Sequence, residues 1–172
     1  MKVSEFNHLV LPIQQKIFRL SKRLLTSSDA AEDATQEVMI KLWNQKNGLK
    51  KINNVEAFAM TITKNHCLDQ LKLKANNNLR LVHTNYENTA PNPQEQLEAK
   101  QDWSRVEAMM KTLPETQRMV LHLRQIEGYD YDKICEIMDM KPTAVRVTLS
   151  RARKSLVEQL SKQNDYEKRR QN

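Results

Sequence analysis

The chain has 172 residues and a hydrophobic fraction of 39%, which is enough for one medium domain or two small domains with packed cores. Because only 2 glycines and 5 prolines occur, β-hairpins, phosphate-cradling loops and dinucleotide-binding turns are disfavoured, and a mostly helical protein is predicted. The formal net charge is +7, and residues 141 to 172 contain nine Lys or Arg against three Asp or Glu. This basic end suits a polyanionic partner, although a solvated charged face has the same composition.

The cysteines and histidines indicate no covalent or metal chemistry. Cys67 and Cys135 stand far apart in a chain without an N-terminal apolar signal segment, so we expect no disulfide and a reducing cytoplasm. His66 lies beside Cys67 but lacks the spacing of metal ligands, and no nucleophile motif occurs. We therefore predict no metal, no cofactor, no small-molecule substrate and no enzymatic activity. No window approaches the roughly 20 apolar residues that span a bilayer, so no membrane insertion is expected.

Three amphipathic helices are predicted in the N-terminal half. The first runs through IQQKIFRLSKRLL, the second begins with Ser28 or Asp29 as its N-cap, and the third runs through VEAFAMTITKNHCLDQLKLK. Their apolar stripes can bury one common core. The stripe residues are Ile13, Ile17, Leu20 and Leu24 on the first helix and Ala31, Ala34, Val38 and Leu42 on the second, and Phe58, Ile62, Leu68 and Leu71 lie on or near the buried face of the third.

A change of composition separates two helical halves. Residues 76–96, NNNLRLVHTNYENTAPNPQEQ, have Asn, Thr and Pro in place of helical periodicity. The fold class predicted is all-α, with two small helical domains joined by a flexible linker. We place the domains at residues 1–77 and 96–162, the linker at 78–95 and a charged tail at 163–172.

The C-terminal half ends in a predicted helix-turn-helix. A helix that ends at Gly128 is followed by the short helix in YDYDKICEIMDM, with Asp130 as a plausible N-cap and Asp139 in the turn. Pro142 starts the last helix, whose buried stripe consists of Val145, Leu149, Ala152 and Leu156. The cationic side chains lie off that stripe. From the residues alone, the last helix is either a reader of the DNA major groove or half of an ordinary helical hairpin with a solvated face.

Two parts of the chain resemble one protein family. The segment LPETQRMVLHLRQIEGYDYDKICEIMDMKPTAVRVTLSRARKSL is similar to the promoter-reading C-terminal domain of bacterial RNA polymerase sigma factors of the extracytoplasmic-function (ECF) type, in the sigma-70 family. DAAEDATQEVMIKLW and AFAMTITKNHCLDQLK resemble the N-terminal domain of the same family, in the same order. The resemblance covers nearly the whole chain except the linker and the tail. It implies a transcription initiation factor of the bacterial cytoplasm that binds core RNA polymerase and promoter DNA. Because many relatives are held by an anti-sigma factor, such a protein is a further candidate partner.

The resemblance implies a docking patch on the second helix, which in the family contacts a coiled coil of the largest polymerase subunit. The matching residues are Asp33, Gln36 and Glu37. Their i, i+3 and i+4 spacing places three polar side chains together, where they could accept hydrogen bonds from basic partner residues. Taken without the family, local pairing of Glu37 with Lys41 explains the same pattern.

The third helix and the loop before it resemble the part of the family that recognises and opens the -10 element. Lysines there could hold the phosphates of a separated strand, and asparagines could bond an exposed base edge. Where relatives often carry Trp, Leu and Tyr, this chain has Phe58, Ala59 and Met60, so melting would rely on base capture by the loop. The candidates are Lys46, Asn47, Lys50, Lys51, Asn53 and Asn54 in the loop, and Lys64, Asn65, Lys72 and Lys74 on the helix.

Similarity to the family also implies which residues of the last helix contact the -35 element. Arg146 could read a guanine bidentately, a contact worth roughly 1 to 3 kcal/mol of discrimination. Val147 cannot donate a hydrogen bond, and we hypothesise an apolar contact with a thymine methyl group. The residues implied to face bases are Arg146, Val147 and Ser150, and those implied to contact phosphates are Lys141, Thr143, Thr148, Arg151 and Arg153.

Two other protein classes share parts of this pattern. A DNA-binding regulator that acts without joining core polymerase would have much the same C-terminal helices, and only the N-terminal half distinguishes it from a sigma factor. A purely structural helical bundle would explain the apolar stripes but not the gathering of cations on one helix.

Overall fold

The computed structural model describes the backbone of residues 1–80 and 108–171, and the side chains of residues 1–75 and 108–162. Within these ranges the secondary structure is helical and contains no strand, which confirms the predicted all-α class. The helices are α1 (Val3–Leu25), α2 (Ser28–Asn44), α3 (Lys46–Leu49), α4 (Val55–Arg80), α5 (Glu115–Gln125), α6 (Tyr131–Met138) and α7 (Pro142–Gln171). Residues 108–112 are also helical.

Two helices extend past the predicted ends of their domains. Helix α4 continues to Arg80, inside the segment assigned to the linker, and the remainder of that segment lies outside the described residues. Helix α7 continues to Gln171, into the segment assigned to the tail. Because DYEKRRQN contains neither Gly nor Pro and is rich in residues of good helix propensity, nothing in it stops the helix.

The N-terminal domain is built on α1, which packs against both α2 and α4. The predicted stripes of α1 and α2 are fully buried, as expected. On α4 the predicted stripe residues are only half-buried, and Ala59, Met60 and Cys67 take the fully buried positions instead. Helix α4 contacts α1 and α2 on one side and α6 on another. A helix that is covered on two faces does not show the single apolar stripe from which we predicted its core.

The boundary between α1 and α2 differs by one residue from the prediction. Thr26 adopts a left-handed conformation with φ of 60°, and its N–H donates to the Lys22 carbonyl. The chain is then extended at Ser27, whose hydroxyl accepts a hydrogen bond from the Ala30 N–H at 3.3 Å. The N-cap is therefore Ser27, and not Ser28 or Asp29. The left-handed residue Thr26 ends α1, so α2 begins directly after Ser27.

In the C-terminal domain, α7 packs against α5 and α6, and α6 and α7 form the predicted helix-turn-helix. Asp130 caps α6 by accepting a hydrogen bond from the Lys133 N–H at 2.8 Å. Asp139 ends α6 with φ of 53°, a left-handed conformation that Asp tolerates better than most residues. Val145, Leu149 and Ala152 are buried and Leu156 is half-buried, so the predicted stripe of the last helix is confirmed.

The two domains pack directly against each other. One buried cluster contains Leu20 and Leu24 of α1, Met60 of α4, Ile137 of α6 and Leu149 of α7. Polar contacts surround it: the Arg19 guanidinium makes two hydrogen bonds to the Glu127 carboxylate, at 2.7 and 2.8 Å. The surface of α4 that faces the C-terminal domain is therefore covered in this arrangement.

Candidate nucleic-acid interface

Helix α7 presents a basic arc to solvent. Opposite its buried stripe, the arginines predicted to contact DNA are exposed, and no ion pair among the described residues engages Arg146, Arg151 or Arg153. Their positive charge is therefore available to a polyanion. Of the whole predicted -35 set, Lys141, Thr143, Arg146, Val147, Ser150, Arg151 and Arg153 are exposed, and Thr148 is half-buried.

The turn before α7 fixes where this arc begins. The N–H groups of Asp139 and Met140 both donate to the Cys135 carbonyl, so the end of α6 is closed by backbone hydrogen bonds. The Val145 N–H donates to the Lys141 carbonyl, which makes Lys141 the residue at the N-terminal end of α7. Free N–H groups and a lysine at the start of an exposed helix form a surface suited to a phosphate.

Sequence reasoning missed Tyr131, the first residue of α6. Its ring lies beneath the guanidinium groups of Arg124 and Arg146, with distances of 5.0 and 5.5 Å from each Cζ to the ring centroid. A signal existed in the segment YDYDK, where an aromatic residue directly follows the N-cap Asp130 and lies beside the recognition helix once a helix-turn-helix is assumed.

The predicted -10 residues of the loop gather near the N-terminus of the chain. The Lys46 ammonium lies 3.8 Å from the centroid of the Trp43 ring, and Lys50 pairs with Glu5 at 3.0 Å. The Asn47 side-chain oxygen accepts a hydrogen bond from the N-terminal ammonium of Met1 at 3.0 Å. Lys51 and Asn53 are exposed. The loop therefore offers cations and amides on one accessible surface.

Two further residues of the predicted -10 set hydrogen-bond to the main chain of the protein. Asn54 accepts a hydrogen bond from the Ala57 N–H at 2.9 Å, at the start of α4. The Lys64 ammonium is buried and donates to the main-chain carbonyl of Ile137 at 2.9 Å. Burial lowers the pKa of Lys64, because desolvation disfavours the ammonium, although Asp139 opposes the shift. Asn65, Lys72 and Lys74 are exposed further along α4.

The positions that differ from the family's aromatic pattern lie inward. Ala59 and Met60 are fully buried, and Phe58 is half-buried against the N-terminal core. These three side chains therefore pack the protein in this arrangement, and none of them projects fully into solvent as a wedge would.

The predicted docking residues Asp33, Gln36 and Glu37 are all exposed on α2, whose Ala34 and Val38 face the core. The local pair of Glu37 with Lys41 is not among the ion pairs of the described residues. The Nζ atom of Lys41 instead lies 2.9 Å from the Nδ1 atom of His66 on α4. The patch is therefore open to a partner.

A polar cluster at the domain boundary was not predicted. The Glu56 carboxylate accepts hydrogen bonds from Lys16 and from the Tyr129 hydroxyl, both at 2.5 Å, and pairs with Lys133 at 3.2 Å. Burial raises the pKa of Glu56, but these hydrogen bonds outweigh it and the net shift is downward. Burial and the adjacent carboxylate raise the pKa of Tyr129. Because Lys16 and Glu56 come from one domain and Tyr129 and Lys133 from the other, the cluster ties the domains together.

A more deeply buried carboxylate lies nearby. Glu127 is almost fully buried, and besides its contacts to Arg19 it lies 3.4 Å from the Nε2 atom of His122. Burial raises the pKa of Glu127, but the nearby His122 ring and the hydrogen bonds from Arg19 outweigh it and hold the pKa at about 2. Burial lowers the pKa of His122 despite the adjacent carboxylate.

The described residues contain neither a metal-ligand cluster nor a membrane-spanning helix. Among them, no group of three or more His, Cys, Asp or Glu side chains is placed to hold a metal ion. Nor does that part of the chain contain a helix long and apolar enough to cross a membrane.

Both halves of the chain match regions of one protein family. Residues 9–76 match the family model of sigma-70 region 2, and residues 103–156 match that of sigma-70 region 4. The chain is 26% identical over 160 residues to the ECF RNA polymerase sigma factor SigE of Mycolicibacterium smegmatis, an alignment that covers 91% of this chain and 62% of that protein. It is 27% identical over 164 residues to the ECF RNA polymerase sigma-E factor of Escherichia coli, with 88% and 84% covered.

Solved structures show the same fold. The sigma factor RpoE of Bartonella quintana, in complex with the anti-sigma factor NepR, superposes with a TM-score of 0.79 at 22% identity, covering 92% of this chain and 98% of that chain. CnrH in complex with the cytosolic domain of CnrY gives a TM-score of 0.67 at 16% identity, with 93% and 90% covered.

Proposed function

Because the chain belongs to the sigma-70 family of RNA polymerase sigma factors, in its ECF branch, we propose that it binds core RNA polymerase and directs it to specific promoters. A sigma-70 region 2 and a sigma-70 region 4 in the family's order are the observation that carries the proposal. The chain spans 62% of the length of the Mycolicibacterium smegmatis relative and 84% of that of the Escherichia coli relative.

For the -35 element, we propose that α7 enters the major groove with its exposed arc. Arg146 donates two hydrogen bonds to one guanine, Ser150 faces a neighbouring base, and Val147 contacts a thymine methyl group. Val147 is 43% exposed, which leaves its side chain accessible to a base edge. Lys141, Thr143, Thr148, Arg151 and Arg153 hold phosphates on either side and so fix the register of the helix.

For the -10 element, we propose that the loop through α3 captures unpaired bases. Exposed amides and lysines, including Asn53 and Lys51, suit a separated strand, because amides bond base edges and ammonium groups bond phosphates. The exposed Asn65, Lys72 and Lys74 extend this surface along α4. Lys64 joins it only when the two domains separate, since its ammonium group is buried against α6 in the packed arrangement.

For core polymerase, we propose that Asp33, Gln36 and Glu37 form the docking patch. All three are exposed on one helix, and acidic side chains suit a basic partner surface. An anti-sigma factor is a further proposed partner, since the structures of both similar folds hold a second protein, the anti-sigma factor NepR in one of them. We also infer that the chain works in the bacterial cytoplasm and has no enzymatic activity of its own.

The experiment that separates this function from that of an independent DNA-binding regulator is assembly with core polymerase. Purified chain and core polymerase should co-sediment as a stoichiometric complex that protects promoter DNA over both elements. Binding to duplex DNA with no affinity for core polymerase would favour the regulator.

A further inference from the structure

Three helices of the C-terminal domain meet at one aromatic ring. Tyr131 opens α6, Arg124 lies near the end of α5, and Arg146 lies on the exposed arc of α7. The two guanidinium carbons lie 5.0 and 5.5 Å from the ring centroid, which is within the range of cation–π attraction. Arg146, the residue proposed to read a base, therefore also links the recognition helix to the rest of its domain.

The ring of Tyr131 is a fixed platform. Its backbone is set by the capped start of α6, where Asp130 accepts the Lys133 N–H, and its half-buried side chain packs against the shared core. Arg124 donates to the Tyr129 carbonyl at 2.7 Å, so this guanidinium is held by the backbone two residues before the ring. These contacts hold the ring and the Arg124 guanidinium in place when the Arg146 side chain moves.

Arg146 has no other anchor in the part of the chain that the structure describes. Among the hydrogen bonds, ion pairs and ring contacts of the described residues, it takes part only in the contact with Tyr131. A long exposed arginine otherwise samples many rotamers, and ordering it on a base costs entropy at the moment of binding. A planar guanidinium held against an aromatic face has lost part of that freedom before DNA arrives.

We propose that Tyr131 is a positioning residue for promoter readout, which holds the Arg146 guanidinium ready for its base. The proposal rests on the proposed function, in which Arg146 reads one base of the -35 element. Tyr131 itself touches no base in this account. Its loss lowers discrimination at the single base pair that Arg146 reads and leaves the other positions and the salt dependence of binding unchanged, because no phosphate contact is removed.

The test is selection of promoters by reconstituted holoenzyme from a library randomised in the upstream element, with the preference ratio measured at each position. Arg146→Ala should lower the ratio at one position by about 5- to 150-fold, the range of a bidentate base contact. Tyr131→Met, which keeps the apolar volume, should lower it at the same position by about two- to fivefold, the range of an exposed cation–π contact. Tyr131→Phe keeps the ring and should match the unmodified chain.

A double-variant cycle decides whether Tyr131 acts through Arg146. In the Arg146→Ala background, Tyr131→Met should cause no further loss of preference. Additive losses, or a uniform loss at all positions, would overturn the proposal and make Tyr131 a packing or phosphate-contacting residue. If Arg146→Ala changes the preference ratio at no position, the proposed role of Arg146 in base readout is wrong. If Arg146→Ala lowers the ratio at one position but Tyr131→Met lowers it at none, the role of Arg146 stands and the positioning role of Tyr131 is overturned.

A second series does not depend on the folding of Tyr131→Met. Stepwise fluorination of the phenyl ring introduced by Tyr131→Phe weakens the attraction of the ring face for a cation at almost constant volume. The preference ratio at the Arg146 position should fall with each added fluorine, while the thermal midpoint stays nearly constant. A ratio that is independent of fluorination would overturn the proposal.

Discussion

The ammonium group of Lys64 on α4 donates a hydrogen bond of 2.9 Å to the main-chain carbonyl of Ile137 on α6, and the lysine is 9% exposed. This bond joins the helix proposed to read the -10 element to the helix that supports -35 readout. Because the lysine is buried between the two helices, a DNA phosphate cannot reach its ammonium group in this arrangement. The packed arrangement and the use of Lys64 on DNA therefore exclude each other.

Replacement of this lysine should affect promoter opening. In holoenzyme, Lys64→Met should weaken opening and reduce the salt slope of promoter binding by about 1, because one phosphate contact is lost. Permanganate reactivity of unpaired thymines and a salt titration measure the two effects. Lys22→Met, at an exposed lysine of α1 outside the proposed sites, is the matched control. Unchanged opening, together with expansion of the free chain in X-ray scattering, would confine Lys64 to the contact between domains.

The Glu56 cluster should contribute to packing of the two domains. Glu56→Gln leaves Lys16 and Lys133 without their carboxylate and should cost about 1 to 2 kcal/mol, in the lower part of the range for hydrogen bonds to charged groups because Glu56 is partly exposed. Urea unfolding measures the cost, and the radius of gyration of the free chain should rise. Glu5→Gln breaks the exposed pair with Lys50 but keeps an oxygen that can accept the Lys2 N–H, so it should cost less than about 0.5 kcal/mol and leave the radius of gyration unchanged. Equal effects of the two substitutions would contradict this account.

The Glu127 carboxylate should make stability sensitive to acid. Its pKa in the folded protein, about 2, lies below the ordinary value of 4.5, so the stabilisation is complete above pH 4.5 and is lost as the pH falls toward 2. Glu127→Gln cannot titrate, and its free energy of unfolding should fall less steeply over this window. Chemical unfolding at several pH values gives the comparison. Parallel curves for the two proteins would show that Glu127 is not the titrating group.

The docking patch should be separable from folding. Asp33→Ala combined with Glu37→Ala should lower affinity for core polymerase by at least about tenfold, because two charge-assisted contacts are lost. Both residues are exposed, so the thermal midpoint should change little. Glu32→Ala, at an exposed acidic residue of the same helix, controls for the loss of charge. Core affinity that survives the double substitution would remove the patch from the interface.

Truncation of a side chain in the buried stripe of α7 should cost much more stability than truncation of one on its exposed arc. Leu149 is 1% exposed, and Leu149→Ala should destabilise the protein by about 2 to 5 kcal/mol through lost burial and a cavity. Val147→Ala, two residues earlier and on the exposed arc, should change the free energy of unfolding by less than about 0.5 kcal/mol. Thermal or urea unfolding tests both. A large loss of stability from Val147→Ala would mean that this side chain packs the fold.

Much of the fold was predictable because its signals are local. The stripes of α1, α2 and α7 repeat at helical spacing, and the cap at Asp130 and the turn at Asp139 depend on neighbouring residues. The predicted apolar residues of α4 pack against the core, but its fully buried Ala59, Met60 and Cys67 were not predicted, because burial on two sides hides the periodicity. The contacts of Glu56 with Tyr129 and of Lys64 with Ile137 join residues 73 positions apart, and no local pattern encodes such pairs. The ring of Tyr131 was missed for the same reason, since its meaning depends on helices before and after it.

Run-off transcription with purified core polymerase and a library of promoters tests the central claim most directly. The account predicts that core polymerase supplied with this chain starts transcription at a defined subset, which shares two short sequence blocks at a constant spacing. It also predicts that Arg146→Ala relaxes one position of the upstream block. A chain that binds duplex DNA but directs no initiation from any member of the library would contradict the account.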